Sequence, residues 1–244
     1  MIKKAIAQYL LRNKLTAIQL KAVLFDMDGV LFDSMPYHTQ SWYDTITAIG
    51  IPCTMEEFYL FEGRTGESTI NELFLRTYNR TATEEEKKEI YKDKSNRFNA
   101  FNTATPMHGA ADVIKKVNES KLDTLIVTGS GQLSLIEKLE KAYPNQFKLD
   151  KMVTAEHVIH GKPHPEPYLL GLEKAGVKAN EAVVIENAPL GVAAASAAGI
   201  FTIAANTGPL DEQVLYDAGA DIVFPDMEAV ASAWKELIDA MSAQ

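Results

Sequence analysis

The sequence contains a closely spaced pair of aspartates, Asp26 and Asp28, in the tetrapeptide Asp-Met-Asp-Gly. In an extended segment, side chains two residues apart point the same way, so these two carboxylates lie side by side. Two adjacent carboxylates repel each other unless they share a proton or bind a cation. The pair therefore indicates a Mg²⁺ site, and one carboxylate can also act as a nucleophile. Taken alone, the motif also fits a strand end with solvated aspartates.

A second and a third motif can bind phosphate. The hydroxyls and backbone N–H groups of Thr128, Gly129 and Ser130 can hold phosphate oxygens, although the same residues suit an ordinary helix cap. Lys162 lies in the sequence Gly-Lys-Pro-His-Pro, where the prolines exclude a regular helix or central strand. A lysine on such a stiff loop can direct a point charge at a phosphoryl group, or it can simply face solvent.

Glu186 and Asn187 form the fourth motif. A carboxylate and an amide supply oxygen ligands of the kind that Mg²⁺ accepts, directly or through water. The alternative for Glu186 alone is a favourable interaction with the N-terminus of the following helix. Each of the four motifs follows a predicted strand, and open α/β sheets bind their ligands at the carboxyl ends of the strands.

Short apolar runs alternate with helical segments over most of the chain, which predicts a doubly wound, Rossmann-like α/β core with a mostly parallel sheet. The predicted strands are residues 21–25, 124–127, 152–153, 182–185, 201–204 and 221–224. The predicted helices between them are residues 109–120, 133–143, 165–175, 190–198 and 211–218. The N-terminal 20 residues predict a short amphipathic helix before the first strand.

Residues 34–104 interrupt this alternation. They contain helical patterns at 37–49, 54–61, 68–78 and 84–101 but no convincing buried strand. The simplest interpretation is an α-helical cap domain, residues 34–104, inserted into a core domain formed by residues 1–33 and 105–244. The joints between the two domains are expected near residues 33–36 and 103–106.

The composition narrows the possible partners. The 244 residues include 24 basic and 33 acidic side chains, and the net charge of −9 argues against a nucleic-acid partner. No stretch approaches the about 18 uninterrupted apolar residues of a membrane span, so no membrane partner is expected. Cys53, the only cysteine, cannot form an internal disulfide, which fits a reducing compartment. We expect a cytoplasmic monomer that binds a small phosphorylated substrate.

The order and content of the four motifs resemble the haloacid dehalogenase (HAD) superfamily of phosphoryl-transfer enzymes. Within it, residues 21–209 are similar to the β-phosphoglucomutase-like subgroup, whose helical cap follows the first motif. The resemblance implies that Asp26 attacks phosphorus and that Asp28 protonates the leaving oxygen, then activates the acceptor. It implies that Lys162 neutralises charge between Asp26 and the phosphoryl group. It also implies that Thr128 and nearby backbone N–H groups, in the loop that contains Gly129 and Ser130, hold phosphoryl oxygens. The implied Mg²⁺ ligands are Asp26, Asp28 through its carbonyl, Glu186 and Asn187.

The sequence departs from most members of the subgroup in two places. Asn187 stands where most relatives have a second acid, so the metal site loses a negative charge. In the cap loop, which reads the substrate in the subgroup, Glu62 and Gly66 occupy positions where sugar-phosphate recognition uses basic residues, and Arg64 and Thr65 lie between them. The resemblance implies that Glu62, Arg64 and Thr65 bind substrate, together with His38, Gly129 and Ser130. A carboxylate facing a phosphate would repel it unless a cation lay between, so we expect Glu62 to reach the metal when the cap closes. The alternative is that Glu62 faces water or pairs with Arg64.

The combination of Glu62 and Asn187 is similar to members of the subgroup that hydrolyse inorganic pyrophosphate. The leading prediction is therefore a Mg²⁺-dependent phosphohydrolase that acts through an aspartyl phosphate, with pyrophosphate favoured as substrate. His38 matches a histidine that couples cap closure to acid–base chemistry in β-phosphoglucomutases. It keeps open the isomerisation of β-glucose 1-phosphate to glucose 6-phosphate, or the hydrolysis of a sugar phosphate. A catalytically silent binding module is a third interpretation, against which the intact motifs argue.

Overall fold

The structure is a computed structural model that describes residues 1–101, 105–130 and 133–243, without the side chains of residues 133–137. Within this part of the chain, no helix is long and apolar enough to cross a membrane. The predicted joint at residues 103–106 lies partly outside the described residues, so the division into core and cap domains stays a prediction.

A parallel sheet forms the centre of the molecule, and its strand order in the described residues is β3-β2-β1-β4-β5-β6. The strands are β1 (Ala22–Phe25), β2 (Asp123–Val127), β3 (Met152–Val153), β4 (Ala182–Glu186), β5 (Phe201–Ala205) and β6 (Ile222–Phe224). Strands β1, β4 and β5 are buried along their whole length because helices cover both faces of the sheet. This arrangement confirms the predicted doubly wound α/β fold.

Helices flank the sheet on both sides. The core helices are α1 (Ile2–Asn13), α6 (Ala110–Glu119), α7 (Leu133–Ala142), α8 (Glu166–Ala175), α9 (Pro189–Ala197), α10 (Glu212–Asp217) and α11 (Met227–Ser242). Helices α1, α6 and α11 share one apolar cluster with the sheet, and α8 and α9 share another on the opposite face. Helix α1 confirms the amphipathic helix predicted before the first strand. Helix α11 was missed, although its buried residues recur at helical spacing.

Four consecutive helices of the described chain follow β1 and precede α6: α2 (Met35–Ala48), α3 (Met55–Leu60), α4 (Gly66–Tyr78) and α5 (Glu84–Phe101). They pack around an apolar cluster of their own, which includes Trp42, Phe58 and Ile70. Thr54 begins α3 with a capping box, because its hydroxyl accepts from the backbone N–H of Glu57 and the Glu57 carboxylate accepts from that of Thr54. We call these four helices and the loops that join them the cap, and the rest of the chain the core.

Candidate active site

The four sequence motifs meet at the carboxyl ends of the central strands. Asp26 follows β1, Thr128 follows β2 and Glu186 ends β4. Strand β1 pairs in register with both β2 and β4, and the order of the strands reverses on either side of it. Such a switch point opens a crevice at the strand ends. All three side chains are buried there, so the fold concentrates charged and polar groups away from water.

Lys162 connects two of these carboxylates. Its Nζ lies 2.6 Å from Asp26 Oδ1 and 2.6 Å from Glu186 Oε1, and it donates to the carbonyl oxygen of Val127 at 3.0 Å. The three N–H donors of the ammonium group therefore each have an acceptor. Burial alone would lower the pKa of Lys162, but the charges of Asp26 and Glu186 outweigh it and raise the pKa above its ordinary value. The site thus holds a permanent positive charge against Asp26.

The Glu186 carboxylate is enclosed by hydrogen-bond donors. Its Oε1 accepts from Lys162 and, at 2.9 Å, from the hydroxyl of Tyr168. Its Oε2 accepts from the backbone N–H groups of Asn187 at 2.8 Å and Ala188 at 3.0 Å. Each carboxylate oxygen therefore has two donors from the protein, which fixes the orientation of Glu186.

A second polar chain begins at Asp28 and runs into the cap. Asp28 Oδ1 accepts from the hydroxyl of Ser34 at 2.5 Å and lies 3.2 Å from His38 Nε2. His38 Nδ1 lies 2.6 Å from Lys94 Nζ, and the imidazole stacks on Phe98 with ring centroids 3.9 Å apart. Because Nδ1 faces the N–H donors of Lys94 and Nε2 faces the acceptor Asp28, we assign the proton of neutral His38 to Nε2, where it is donated to Asp28.

The pKa values of the two aspartates are shifted in opposite directions. Burial raises the pKa of Asp26 to about 8, Lys162 counteracts this, and Glu186 adds to it. Burial also favours neutral Asp28, but the interactions with His38 outweigh it and lower the pKa of Asp28. A nucleophile must be ionised, so Asp26 needs additional positive charge nearby to react at neutral pH. The same environment supplies the carboxylates that attract such a cation.

The cap places Glu62 against the core motif at Asn187. Glu62 Oε1 accepts from Asn187 Nδ2 at 2.8 Å. Burial raises the pKa of Glu62 well above its ordinary value, the Asn187 hydrogen bond counteracts this, and the charge of Asp26 adds to it. Arg64 instead lies 3.1 Å from Glu72, so the alternative pairing of Glu62 with Arg64 is not found. The two departures from the subgroup's usual residues are therefore in direct contact.

The chemistry of these donors fits an oxygen-liganded cation such as Mg²⁺. Asn187 Oδ1 is buried and has no hydrogen-bond partner among the described residues, so an amide oxygen is left to bind a positive charge. The charges of Asp26 and Asp28 raise the pKa of the nearby Glu62, so these three carboxylates repel one another, and a cation would relieve that repulsion. No group of three His, Cys, Asp or Glu residues forms a complete metal site in the described part of the chain. Amide and backbone oxygens would have to complete the set.

A cavity between core and cap is lined by residues of both hydrogen-bonded groups, the one around Lys162 and the one that runs from Asp28 to Lys94. The space between its lining atoms is about 600 Å³, including open solvent at its mouth. Its polar lining includes Asp26, Asp28, Glu62, Lys94, Thr128 and Ser130. Thr128 Oγ1 accepts from the backbone N–H of Ser130 at 3.0 Å, which fixes the loop after β2. A Cβ on Gly129 would lie 2.6 Å from the carbonyl oxygen of Gly63, so the cap loop rests directly on this core loop.

The predicted substrate-binding residues are not all at the cavity. His38, Glu62, Arg64, Gly129 and Ser130 line it. Thr65 does not, because it caps α4 by accepting from the backbone N–H of Ser68 at 3.2 Å. The Arg64 guanidinium is engaged by Glu72 on the cap surface.

Sequence reasoning missed Lys94 and Tyr168, both buried at this site. A signal for Lys94 was present, since it lies four residues from both Ile90 and Phe98, the other buried residues of α5. A lysine in an apolar helical stripe requires a specific partner. Tyr168 gave no comparable signal, because a tyrosine on an apolar helix face is ordinary core.

Comparisons with known proteins agree with this geometry. A solved structure from Bacteroides vulgatus, provisionally named a β-phosphoglucomutase, is 49% identical, with a TM-score of 0.95 and 98% of each chain covered. A phosphorylated carbohydrates phosphatase of Thermotoga maritima is 29% identical, covering 90% of this chain and all of the relative. Hexitol phosphatase A of Escherichia coli is 31% identical, with 86% and 93% covered. The family model of haloacid dehalogenase-like hydrolases matches residues 23–205, and the chain therefore belongs to this family of phosphatases and phosphomutase-like enzymes.

Proposed function

We propose that the protein is a Mg²⁺-dependent phosphohydrolase that forms an aspartyl phosphate on Asp26 and acts on a small phosphate compound, with inorganic pyrophosphate favoured. The contact between Glu62 and Asn187 carries this proposal. A carboxylate from the cap beside the reacting centre suits a substrate whose charges are neutralised by a cation. It does not suit a second phosphate bound directly by the cap, because the two anions would repel each other.

The reaction has two displacements. In the first, a carboxylate oxygen of Asp26 bonds to phosphorus, the bond from phosphorus to the leaving oxygen breaks, and Asp28 gives its proton to that oxygen. In the second, Asp28 takes a proton from water, whose oxygen bonds to phosphorus and releases Asp26 with one phosphate. Pyrophosphate and water thus become two phosphates. The anionic substrate favours the protonated form of Asp28 before the first step.

The other side chains bind and orient. Lys162 stabilises ionised Asp26 and its charge offsets that of the phosphoryl group. The hydroxyl of Thr128 and the N–H groups of its loop can hold phosphoryl oxygens. Mg²⁺, when bound, would neutralise the charge of the transferring phosphoryl oxygens. The proposed ligands are Asp26, Asp28 through its carbonyl, Asn187 and Glu62. Glu186 lies beside these residues without binding the metal directly.

A sugar-phosphate phosphatase or a β-phosphoglucomutase is the second candidate. The contact of Lys94 with His38 favours it, since it brings a basic group of the cap to the cavity. The names of the related phosphatases of phosphorylated carbohydrates and of hexitols point the same way. In a mutase, a sugar hydroxyl would replace water as the acceptor, with the same roles for Asp26 and Asp28.

A substrate panel with Mg²⁺ separates the candidates. We expect phosphate release from pyrophosphate to exceed that from β-glucose 1-phosphate and hexitol phosphates, and no formation of glucose 6-phosphate. Formation of glucose 6-phosphate would establish a β-phosphoglucomutase. Faster phosphate release from a sugar phosphate than from pyrophosphate would establish a sugar-phosphate phosphatase. Asp26→Asn should abolish every activity, and a fully active variant would reject the mechanism itself.

Glu62→Ala tests the role of the cap carboxylate. Loss of a charged ligand should raise the Mg²⁺ concentration needed for half-maximal turnover by at least about tenfold. Glu56→Ala is the matched control, because Glu56 is an exposed cap acid that does not line the cavity. If Glu62→Ala keeps the Mg²⁺ dependence and turnover of the unaltered protein, Glu62 does not bind the metal.

A further inference from the structure

Tyr168 is a fully buried tyrosine beneath the proposed catalytic centre. It lies on α8, on the face of the sheet opposite to α11. Its hydroxyl donates to Glu186 Oε1 at 2.9 Å, and Lys162 Nζ lies 5.0 Å from the centre of its ring. Burial raises the pKa of Tyr168 well above its ordinary value, with a further increase from the charge of Glu186. The hydroxyl therefore keeps its proton and remains a donor.

Glu186 is held in a way that suits an anchor more than a metal ligand. Both of its oxygens have two protein donors, so a cation would have to displace one of them. The backbone N–H groups of Asn187 and Ala188 hold Oε2 and leave the carboxylate free to swing about that oxygen. Two donors hold Oε1 against this swing, Lys162 and the hydroxyl of Tyr168. Without the hydroxyl, the position of Oε1 would depend on Lys162 itself.

We propose that Tyr168 is a positioning residue for phosphoryl transfer: it fixes Glu186 Oε1 so that the ammonium group of Lys162 stays directed at Asp26 Oδ1. The inference rests on the proposed role of Asp26 as nucleophile. Tyr168 acts through Lys162 and Glu186 and touches neither substrate nor Mg²⁺. Misdirecting Lys162 should slow the reaction step, because its charge must face the nucleophile there. Substrate binding should change little.

Tyr168→Phe isolates the hydroxyl, because phenylalanine keeps the ring beside the Lys162 ammonium. The matched control is Tyr9→Phe. Tyr9, on α1, is also fully buried, and its hydroxyl donates to the carbonyl oxygen of Gly199 at 2.8 Å. Neither residue lines the cavity. Both variants lose one oxygen and one hydrogen bond from a buried ring.

The experiment measures steady-state phosphate release, using pyrophosphate or the sugar phosphate that the panel identifies. We expect Tyr168→Phe to lower kcat about tenfold with KM changed less than twofold, and Tyr9→Phe to change neither. Calorimetric titration with Mg²⁺ alone should give the same dissociation constant for both variants. A crystal structure of Tyr168→Phe should show the Lys162 Nζ to Asp26 Oδ1 distance longer than 2.6 Å.

A double-mutant cycle with Glu186→Gln keeps the inference testable if single values are affected by folding. If Tyr168 acts through Glu186, its replacement should have less than a twofold effect on kcat in the Glu186→Gln background. The inference is overturned by an unchanged kcat in Tyr168→Phe, by an equal loss in Tyr9→Phe, or by a full tenfold loss in the Glu186→Gln background. A weaker Mg²⁺ affinity in Tyr168→Phe would assign Glu186 to the metal instead. Activity of Asp26→Asn would refute the proposed function separately.

Discussion

Lys94→Met should change how the stability of the protein depends on pH. Lys94 is 2% exposed, and its ammonium group lies over the rings of Phe98 and Trp42 and beside His38. Burial lowers the pKa of Lys94 from 10.5 to about 7, although the charge of Asp28 counteracts this. In the unfolded chain the lysine recovers its ordinary pKa. Between these two values, the unfolded state therefore binds a proton that the folded state has released.

The sign and size of the effect follow from this difference. Stability rises with pH wherever the unfolded state binds more protons, by about 1.4 kcal/mol per pH unit for one proton. Because the folded state still holds part of the proton at pH 7, the expected gain between pH 7 and pH 9 is about 2 kcal/mol. Lys94→Met has no proton to exchange at this position, so it should lack this gain.

Urea unfolding of the unaltered protein and Lys94→Met at pH 7, 8 and 9 measures the difference. Lys88→Met is the control, because Lys88 lies on the same helix but is exposed, and its replacement should leave the pH-dependent gain intact. Parallel pH profiles for the unaltered protein and Lys94→Met would mean that Lys94 stays charged in the folded state. The reasoning from burial would then be refuted.

Two glycine substitutions test close approaches at the site. A Cβ in Gly129→Ala would meet the carbonyl oxygen of Gly63 at 2.6 Å, so the cap loop should be displaced and KM should rise about tenfold while urea stability is kept; unchanged kinetics would contradict the contact. In Gly191→Ala the Cβ would lie 1.7 Å from Glu186 Oε1, and overpacking of this buried carboxylate should cost about 1–3 kcal/mol in urea unfolding; an unchanged midpoint would show that the helix can yield.

The sheet and the motifs at its edge were readable from sequence because their determinants are local. The apolar run before Asp26 predicts a buried strand, and parallel strands bring their carboxyl ends to one edge whatever else the chain does. The motifs around Asp26, Thr128, Lys162 and Glu186 therefore needed only their order and their strands to be brought together.

The missed features depend on contacts between distant segments. The role proposed for Tyr168 depends on a hydrogen bond to a carboxylate 18 residues away, which the periodicity of the sequence does not reveal. Lys94 is paired with His38 across 56 residues. Thr65 was expected to bind substrate because residues 61–66 resemble the cap loop that reads the substrate in the subgroup; in the structure its hydroxyl accepts from a backbone N–H at the start of α4. Charge repulsion predicted that Glu62 reaches the metal when the cap closes, but it did not predict the hydrogen bond that Glu62 accepts from Asn187.

The three acceptors around Lys162 have a consequence for how the phosphate is received. All three N–H bonds of this nitrogen already have an acceptor, so an arriving phosphoryl oxygen gains a full hydrogen bond from it by replacing Asp26, Glu186 or Val127. The number of hydrogen bonds at the nitrogen then stays constant while one partner is exchanged. Lys162 can therefore move one hydrogen bond from a protein acceptor to the phosphoryl group. The total number of hydrogen bonds that it donates stays the same while Asp26 becomes esterified.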